Sequence, residues 1–203
     1  MVSDFGLSSV AAALVIVLRR SILLILYPYR TMRSISLRSN RHQVVVVFAI
    51  SLSYFLAARG YKNTFIEGVA GFFVFLGIFY ATVLFFYFIS HASKTEVTLS
   101  SFIYTFSYTL MPTLIWFWST FLLFVILPPP RTYSLLGAGF SILFVSYSLS
   151  LLAWKLILLY LAIRFSSRQG IYRILYMLLL YLVIFIPASV FFYYHRIFRI
   201  PFL

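Results

Sequence analysis

Five long apolar stretches, separated by short polar breaks, constrain this chain more than any other feature of its sequence. The stretches cover roughly residues 44–58, 66–90, 101–127, 134–163 and 171–194. A helix needs about 20 residues to cross the ~30 Å hydrocarbon core of a bilayer, and each stretch reaches or approaches that length. The breaks between them carry turn chemistry, including three consecutive prolines at 128–130 that no helix tolerates. The pattern predicts an all-α, polytopic membrane helix bundle with about five transmembrane helices.

The composition also indicates a chain that is exposed to lipid. Of its 203 residues, 64% are hydrophobic and only 9% are charged, and the mean hydropathy is +1.05. A soluble domain carries roughly a quarter of charged residues, so water would not solvate this surface. Lipid allows apolar side chains to face outward as well as inward. The chain has no cysteine, which excludes disulfides and thiolate metal sites.

The N-terminal segment, residues 1–42, is predicted to be distinct from a five-span transmembrane domain at 43–203. Residues 8–27 are apolar on both sides of Arg19 and Arg20. Two adjacent arginines at the centre of a bilayer would cost several kcal/mol. We therefore interpret this stretch as an interfacial or re-entrant amphipathic segment with its arginines at the headgroups. The alternative is a broken or snorkelling span.

A proline and a basic stretch follow this segment. Pro28 should end it, because proline cannot continue the hydrogen-bond ladder of a helix. The next residues suit a short surface helix whose apolar side chains are Met32, Ile35 and Leu37. The arginines of the whole N-terminal segment are Arg19, Arg20, Arg30, Arg33, Arg38 and Arg41. Since each basic residue beside an anionic leaflet contributes about 1 kcal/mol, we expect these arginines to bind membrane lipids. An arginine- and serine-rich start with few acids is also typical of mitochondrial transit peptides.

The distribution of lysine and arginine predicts the orientation of the chain. With five spans, one side holds ten of these residues: the six N-terminal arginines, Lys94, Arg164, Arg168 and Arg173. The other side holds five: Arg59, Lys62, Arg131, Arg196 and Arg199. Because cytoplasmic loops are enriched in lysine and arginine, the N-terminus is predicted to be cytoplasmic and the C-terminus outside.

Three stretches resemble the Yip1-domain superfamily of five-span membrane proteins, from about residue 21 to the end. They are LLILYPYRTMRSIS, SKTEVTLSSFIYTFSYTLMP and SLSLLAWKLILLYLAIRFSSRQGIYRILYMLLLYLVIFI. The acidic, glycine-bearing motif of eukaryotic members and their long soluble N-terminal region are absent. The chain therefore looks like the short prokaryotic members, and the resemblance implies a multi-pass protein of a prokaryotic cell membrane. In eukaryotic members the family implies binding of small Rab-type GTPases and shaping of vesicle membranes.

Residue types that catalyse reactions are scarce in this sequence. It has three acids, Asp4, Glu67 and Glu96, and none lies deep inside an apolar stretch. His-Glu-x-x-His, Gly-x-Ser-x-Gly and phosphate-loop motifs are all missing. We therefore predict no enzyme activity, no cofactor and no metal. The net charge of +13 would suggest nucleic acid in a soluble protein, but here the basic residues border membrane spans, so we predict no nucleic-acid partner.

Lys155 and two prolines are the chemically unusual residues inside the apolar stretches. An ionisable residue in a membrane is a functional-site hypothesis by default, so Lys155 is a candidate for binding an anion or a lipid phosphate. The simpler interpretation is that it snorkels towards the helix end near Arg164, with Trp154 at the interface. Pro112 and Pro187 each free a backbone carbonyl, which either builds a substrate site or is satisfied by neighbouring hydroxyls.

Small residues cluster in the fourth apolar stretch, with Gly137 and Ser141 as the leading candidates for helix packing. Small side chains allow helices to approach closely in lipid. The cluster serves either packing within the bundle or contact with a membrane-protein partner or a second copy of the chain. The sequence as a whole favours a non-catalytic membrane scaffold or adaptor of Yip1 type. The alternative is a transport component, either a small carrier or a permease-like subunit.

Overall fold

A computed structural model of the protein describes residues 7–37, 40–60, 64–92, 97–126 and 135–194, and nearly all of them are helical. The helices are α1 Leu7–Leu26, α2 Pro28–Leu37, α3 Arg41–Gly60, α4 Phe65–Ala92, α5 Leu99–Thr109, α6 Met111–Ile126, α7 Leu135–Ser167 and α8 Ile171–Tyr194. The described ranges contain no strand.

Within the part of the chain that the structure describes, five helical segments are long and apolar enough to cross a membrane. They are Arg41–Gly60, Phe65–Ala92, Leu99–Ile126, Gly139–Ser167 and Ile171–Phe191. Each overlaps one of the five apolar stretches of the sequence, and the third segment joins α5 and α6 end to end. The chain is therefore an all-α, multi-pass integral membrane protein, as its hydropathy predicts.

Several helices extend beyond the apolar stretches that predict them. Helix α3 begins at Arg41 rather than at residue 44, because the Asn40 side-chain oxygen accepts a hydrogen bond from the backbone N–H of His42 (3.0 Å) and caps the helix. Helix α7 continues to Ser167 rather than ending at residue 163. The apolar pattern marks the part of a helix that suits the bilayer core, whereas the backbone ladder continues through the polar residues on either side.

Helices α1 and α2 both pack against the membrane-spanning helices. Helix α1 is one continuous helix that contacts α3, and its residues Ala13, Val17 and Leu24 are buried. The chain turns at Tyr27, and Pro28 is the first residue of α2, a position where the missing N–H of proline costs nothing. The predicted end of the first segment at Pro28 is thus confirmed.

The short basic helix α2 is confirmed, but its contacts differ from those of a simple surface helix. It contacts α5 and α7. Met32 and Ile35 are fully buried, whereas Leu37 is 73% exposed. The spacing of Met32 and Ile35 places both on one side of α2, so this side packs against the protein and Leu37 lies outside the contact.

The core of the bundle is mainly aromatic. The rings of Phe55, Phe75 and Phe117, from α3, α4 and α6, lie with centroids 5.6–6.1 Å apart. The ring of Tyr54 stacks on Phe117 at 4.5 Å. Aromatic pairs at these distances contribute about 0.5–1.5 kcal/mol beyond their buried area. Lipid supplies no hydrophobic driving force for helices to associate. Packing between these rings therefore helps to hold α3, α4 and α6 together.

Two ends of the bundle can be distinguished from its contacts. At one end, here called the α2 end, α2 lies against the start of α5 and the end of α7. The end of α4 also lies there, because the Gln169 amide between α7 and α8 donates to the backbone oxygen of Ser90 (3.5 Å). At the opposite end α3 meets α4, and Arg59 forms an ion pair with Glu67 (2.8 Å).

Candidate functional site

The N-terminal arginines that the sequence singles out fall into two environments. Four of them, Arg19, Arg30, Arg33 and Arg41, are exposed. Arg20 is half-buried and bonded inside the protein. Arg38, also predicted to contact lipid, lies outside the described residues. Adjacent arginines in the sequence thus have different surroundings, because consecutive residues of a helix point about 100° apart.

Arg20 belongs to a buried polar cluster that joins three helices. Its guanidinium donates to the side-chain oxygen of Gln43 at the start of α3. The hydroxyl of Tyr108 on α5 donates to the same oxygen (2.7 Å). The Arg20 guanidinium also lies 5.9 Å from the centre of the Tyr108 ring. Hydrogen bonds to a charged donor in a low-dielectric surrounding are stronger than those in water, so this cluster fixes α1 against α3 and α5.

Two members of this cluster are not among the residues that the sequence singles out. Gln43 and Tyr108 are 65 positions apart, and neither forms part of a recognisable motif. A glutamine that opens an apolar stretch is a signal, since a buried amide in a membrane needs partners. The partner itself follows only from the packing of α3 against α5.

Lys155 is held by the start of α6. Its ammonium donates to the Thr113 hydroxyl (3.0 Å), and Thr113 is itself buried. The lysine ammonium thus has an acceptor on the neighbouring helix α6, and the prediction that it snorkels towards the Arg164 end of α7 stays a prediction. A hydroxyl acceptor within reach inside the protein replaces part of the water that the ammonium loses.

A cavity of about 350 Å³ lies between α4, α5, α7 and α8, and Lys155 lines it. The polar groups around it also include the hydroxyls of Thr82 and Tyr181, which bond to each other (3.2 Å). Most of the remaining lining is apolar, from residues such as Phe106 and Leu159. A partly open apolar cavity with a few convergent polar groups has the character of a small-molecule site.

The predicted break at Pro112 lies next to this lysine. Helix α5 ends at Thr109, α6 begins at Met111, and Leu110 between them donates to the backbone oxygen of Ser107 (3.3 Å). Proline has no N–H to continue the ladder, and the break places the Thr113 side chain where it accepts from Lys155. The break at Pro112 and the intramembrane lysine thus belong to one site.

The remaining kink and packing candidates do not line the cavity. Pro187 lies inside α8, which continues through it. The Ser141 hydroxyl donates to the backbone oxygen of Gly137 (2.9 Å) within α7, and Ser141 is exposed. A methyl group added at Gly139 would meet no atom within 4 Å. This part of α7 therefore faces the outside of the bundle and does not pack closely inside it.

Metal-binding geometry is not found in the part of the chain that the structure describes. No three His, Asp or Glu residues come together among those residues. The carboxylate of Glu67 is engaged by Arg59 at the opposite end from α2. The prediction that the protein is not an enzyme stays a prediction.

The fold and these features define a class: a multi-pass α-helical membrane protein with a basic N-terminal region and a lysine in an intramembrane cavity. Comparison with protein-family models, with curated proteins and with solved structures finds no match to this chain. The resemblance to the Yip1-domain superfamily accordingly stays a prediction based on the three stretches quoted above.

Proposed function

We propose that the protein is a non-catalytic membrane scaffold or adaptor of Yip1 type, which acts through helix packing and a basic surface at its α2 end. One observation supports this most strongly. Helix α2 is fixed to the bundle by Met32 and Ile35, while Arg30 and Arg33 are exposed on it. A fixed helix that presents arginines is suited to hold a membrane or a partner surface in a constant geometry.

The α2 end is proposed to face the cytoplasm. The contacts bring Arg33, Arg164 and Arg168 together at this end, and cytoplasmic segments are enriched in arginine. The membrane is proposed to be a prokaryotic cell membrane with an anionic inner leaflet. The end of α8 then lies on the outer side, and an interfacial α1 leaves the N-terminus in the cytoplasm.

The adaptor role is tested by purification of the full chain from its native membrane in a mild detergent, followed by mass analysis. A protein partner at constant stoichiometry is expected. The matched pair of variants is Ser141→Phe, on the exposed face of α7, and Leu143→Phe, which changes an already large exposed residue nearby. Loss of the partner with the first variant alone would locate the contact on α7. Recovery of the chain without any stoichiometric protein would contradict the adaptor role.

The second candidate function is a transport component, and the cavity that Lys155 lines favours it. A cation beside an apolar cavity would bind a small anionic amphiphile through its acidic group. Coupled transporters usually carry paired intramembrane charges or internal repeats, and the sequence shows neither, so this role ranks second.

Flux measurements with the purified chain in proteoliposomes separate the two roles. A carrier should lose flux of a small organic anion with Lys155→Met and keep it with Lys155→Arg, because only the arginine preserves the charge. An adaptor should give no flux with any of the three proteins, while retaining its partner in all of them.

A further inference from the structure

Three arginines from two distant parts of the chain line one pocket at the α2 end. Arg33 lies on α2, Arg164 lies in the last turn of α7, and Arg168 follows directly after α7. The pocket has a volume of about 230 Å³ and is partly open. It is separate from the Lys155 cavity, with which it shares no residue. Three arginines around one small space are an arrangement suited to an oxyanion, since the guanidinium group binds oxyanions through several N–H donors.

Hydroxyl-bearing residues line the same pocket. Thr98 precedes the first residue of α5, and its side chain makes no capping hydrogen bond. Ser36 also contributes, with its hydroxyl donating to the backbone oxygen of Arg33 (2.8 Å). The Thr98 hydroxyl can therefore donate to a ligand oxygen, in addition to the arginine N–H groups.

The arginine of α7 is held in position before any ligand arrives. Arg164 donates to the Tyr160 hydroxyl (3.2 Å), and its guanidinium lies 5.6 Å from the centre of the Tyr29 ring. Among the described residues, Glu67 is the one acidic side chain, and it pairs with Arg59 at the opposite end of the bundle. The positive charge of the pocket is thus not neutralised by any carboxylate in the part of the chain that the structure describes.

The backbone conformation at Arg168 independently indicates that its side chain has a role in the pocket. Its φ is +53°, in the left-handed region, and its N–H donates to the backbone oxygen of Arg164 (3.1 Å). This is the position after a helix end where glycine is strongly preferred, because a side chain there is strained. Arginine stands at this position, and its side chain lines the pocket.

We propose that this pocket binds a phosphate group, either the headgroup phosphate of a membrane lipid or free inorganic phosphate. The inference rests on the proposed role of the α2 end as a membrane-facing basic surface and gives that surface a defined ligand. Leu37 and Phe165 also line the pocket, and they can contact the carbon atoms next to a lipid phosphate. Arg33, Arg164 and Arg168 bind the phosphate oxygens.

The test measures binding to the purified full chain in neutral maltoside micelles by titration calorimetry. The probes are inorganic phosphate, dioctanoyl phosphatidic acid, and dioctanoylglycerol, which lacks the phosphate. The variants are Arg33→Gln and Arg168→Gly. The second one removes the side chain where glycine suits the backbone, so its fold is preserved. The matched control is Arg30→Gln, which removes one charge from the exposed side of α2 and does not line the pocket.

Wild type and Arg30→Gln are expected to bind phosphatidic acid equally, and dioctanoylglycerol should bind neither. Arg33→Gln and Arg168→Gly should each weaken binding about tenfold, the loss expected for one charged hydrogen bond. Competition by inorganic phosphate would identify free phosphate as a ligand, and its absence would restrict the site to lipid. Equal binding to all four proteins, or equal binding of dioctanoylglycerol, would overturn the proposal. This experiment contains no protein partner. A failure to bind phosphate would therefore not contradict the adaptor role, which the purification with mass analysis tests separately.

Discussion

At the scale of single residues, the fold depends on a few polar side chains that find partners inside a mainly aromatic bundle. Gln43 accepts hydrogen bonds from both Arg20 and Tyr108, and Thr113 accepts one from Lys155. Each of these contacts joins two helices. In a membrane such contacts are worth about 1 kcal/mol each, but a buried donor that loses its acceptor costs more.

Gln43→Leu should therefore destabilise the protein by about 1–3 kcal/mol, because it leaves the Arg20 guanidinium and the Tyr108 hydroxyl without their common acceptor. Denaturant unfolding of the purified chain in mixed micelles measures the change. Gln43→Glu keeps an acceptor oxygen and serves as the control, with stability near that of the wild type. Wild-type stability of Gln43→Leu would show that the cluster does not hold α1 in place.

Gly68 permits α4 to lie close to the backbone of α3. A methyl group added there would lie 2.8 Å from the backbone oxygen of Phe55, whereas one added at Gly77 meets nothing within 4 Å. Gly68→Ala should cost about 1–3 kcal/mol because backbone cannot move aside easily. Gly77→Ala, on the same helix, should be neutral or slightly stabilising. Thermal unfolding of both variants in detergent gives the comparison, and equal melting temperatures would contradict the α3–α4 packing.

At the scale of helices, the apolar pattern predicts which segments can span the membrane and how many there are. It does not predict which helices contact each other. The five spans follow from runs of apolar residues, since length and hydropathy are local properties. The break at Pro112 follows from proline chemistry. The hydrogen bond from Lys155 to Thr113 does not follow from the sequence, because the two residues are 42 positions apart. In the same way, the sequence predicts that Arg33 belongs to a basic segment. It does not predict that Arg33 shares a pocket with Arg168, because the two residues are far apart in the chain.

The sequence leaves open whether helix α1 lies at the membrane interface or spans the membrane. Its 20 residues are about 30 Å long, enough to cross a bilayer, but Arg19 near its middle is exposed. A lipid-facing arginine at the bilayer centre costs about 2.5–3.5 kcal/mol on insertion scales. We therefore expect α1 to lie at the interface, with both of its ends on the cytoplasmic side.

Single cysteines introduced into this cysteine-free chain test the position of α1. Ser3→Cys and Ser34→Cys, the latter on exposed α2 surface, should both react with a membrane-impermeant maleimide from the cytoplasmic side. Reaction from opposite sides would show that α1 is a sixth span, and the N-terminus would then lie outside.

At the scale of the whole molecule, we propose that five spans place the basic α2 end in the cytoplasm. Arg33 of α2, the end of α7 and the start of α5 all converge there. The adaptor role and the phosphate pocket both require this end to face an aqueous, lipid-bordered surface. The side of the membrane on which each break between spans lies therefore decides whether the α2 end faces the cytoplasm.

Cysteine accessibility at the four breaks between the spans measures that sidedness directly. The variants are Asn63→Cys, Ser93→Cys, Thr132→Cys and Gly170→Cys, none of which changes the number of charges. In vesicles of defined orientation, the cysteines at 93 and 170 should react with an impermeant reagent from the cytoplasmic side only. Those at 63 and 132 should react from the outer side only. Labelling of 93 and 170 from different sides, or of all four from one side, would contradict the five-span bundle.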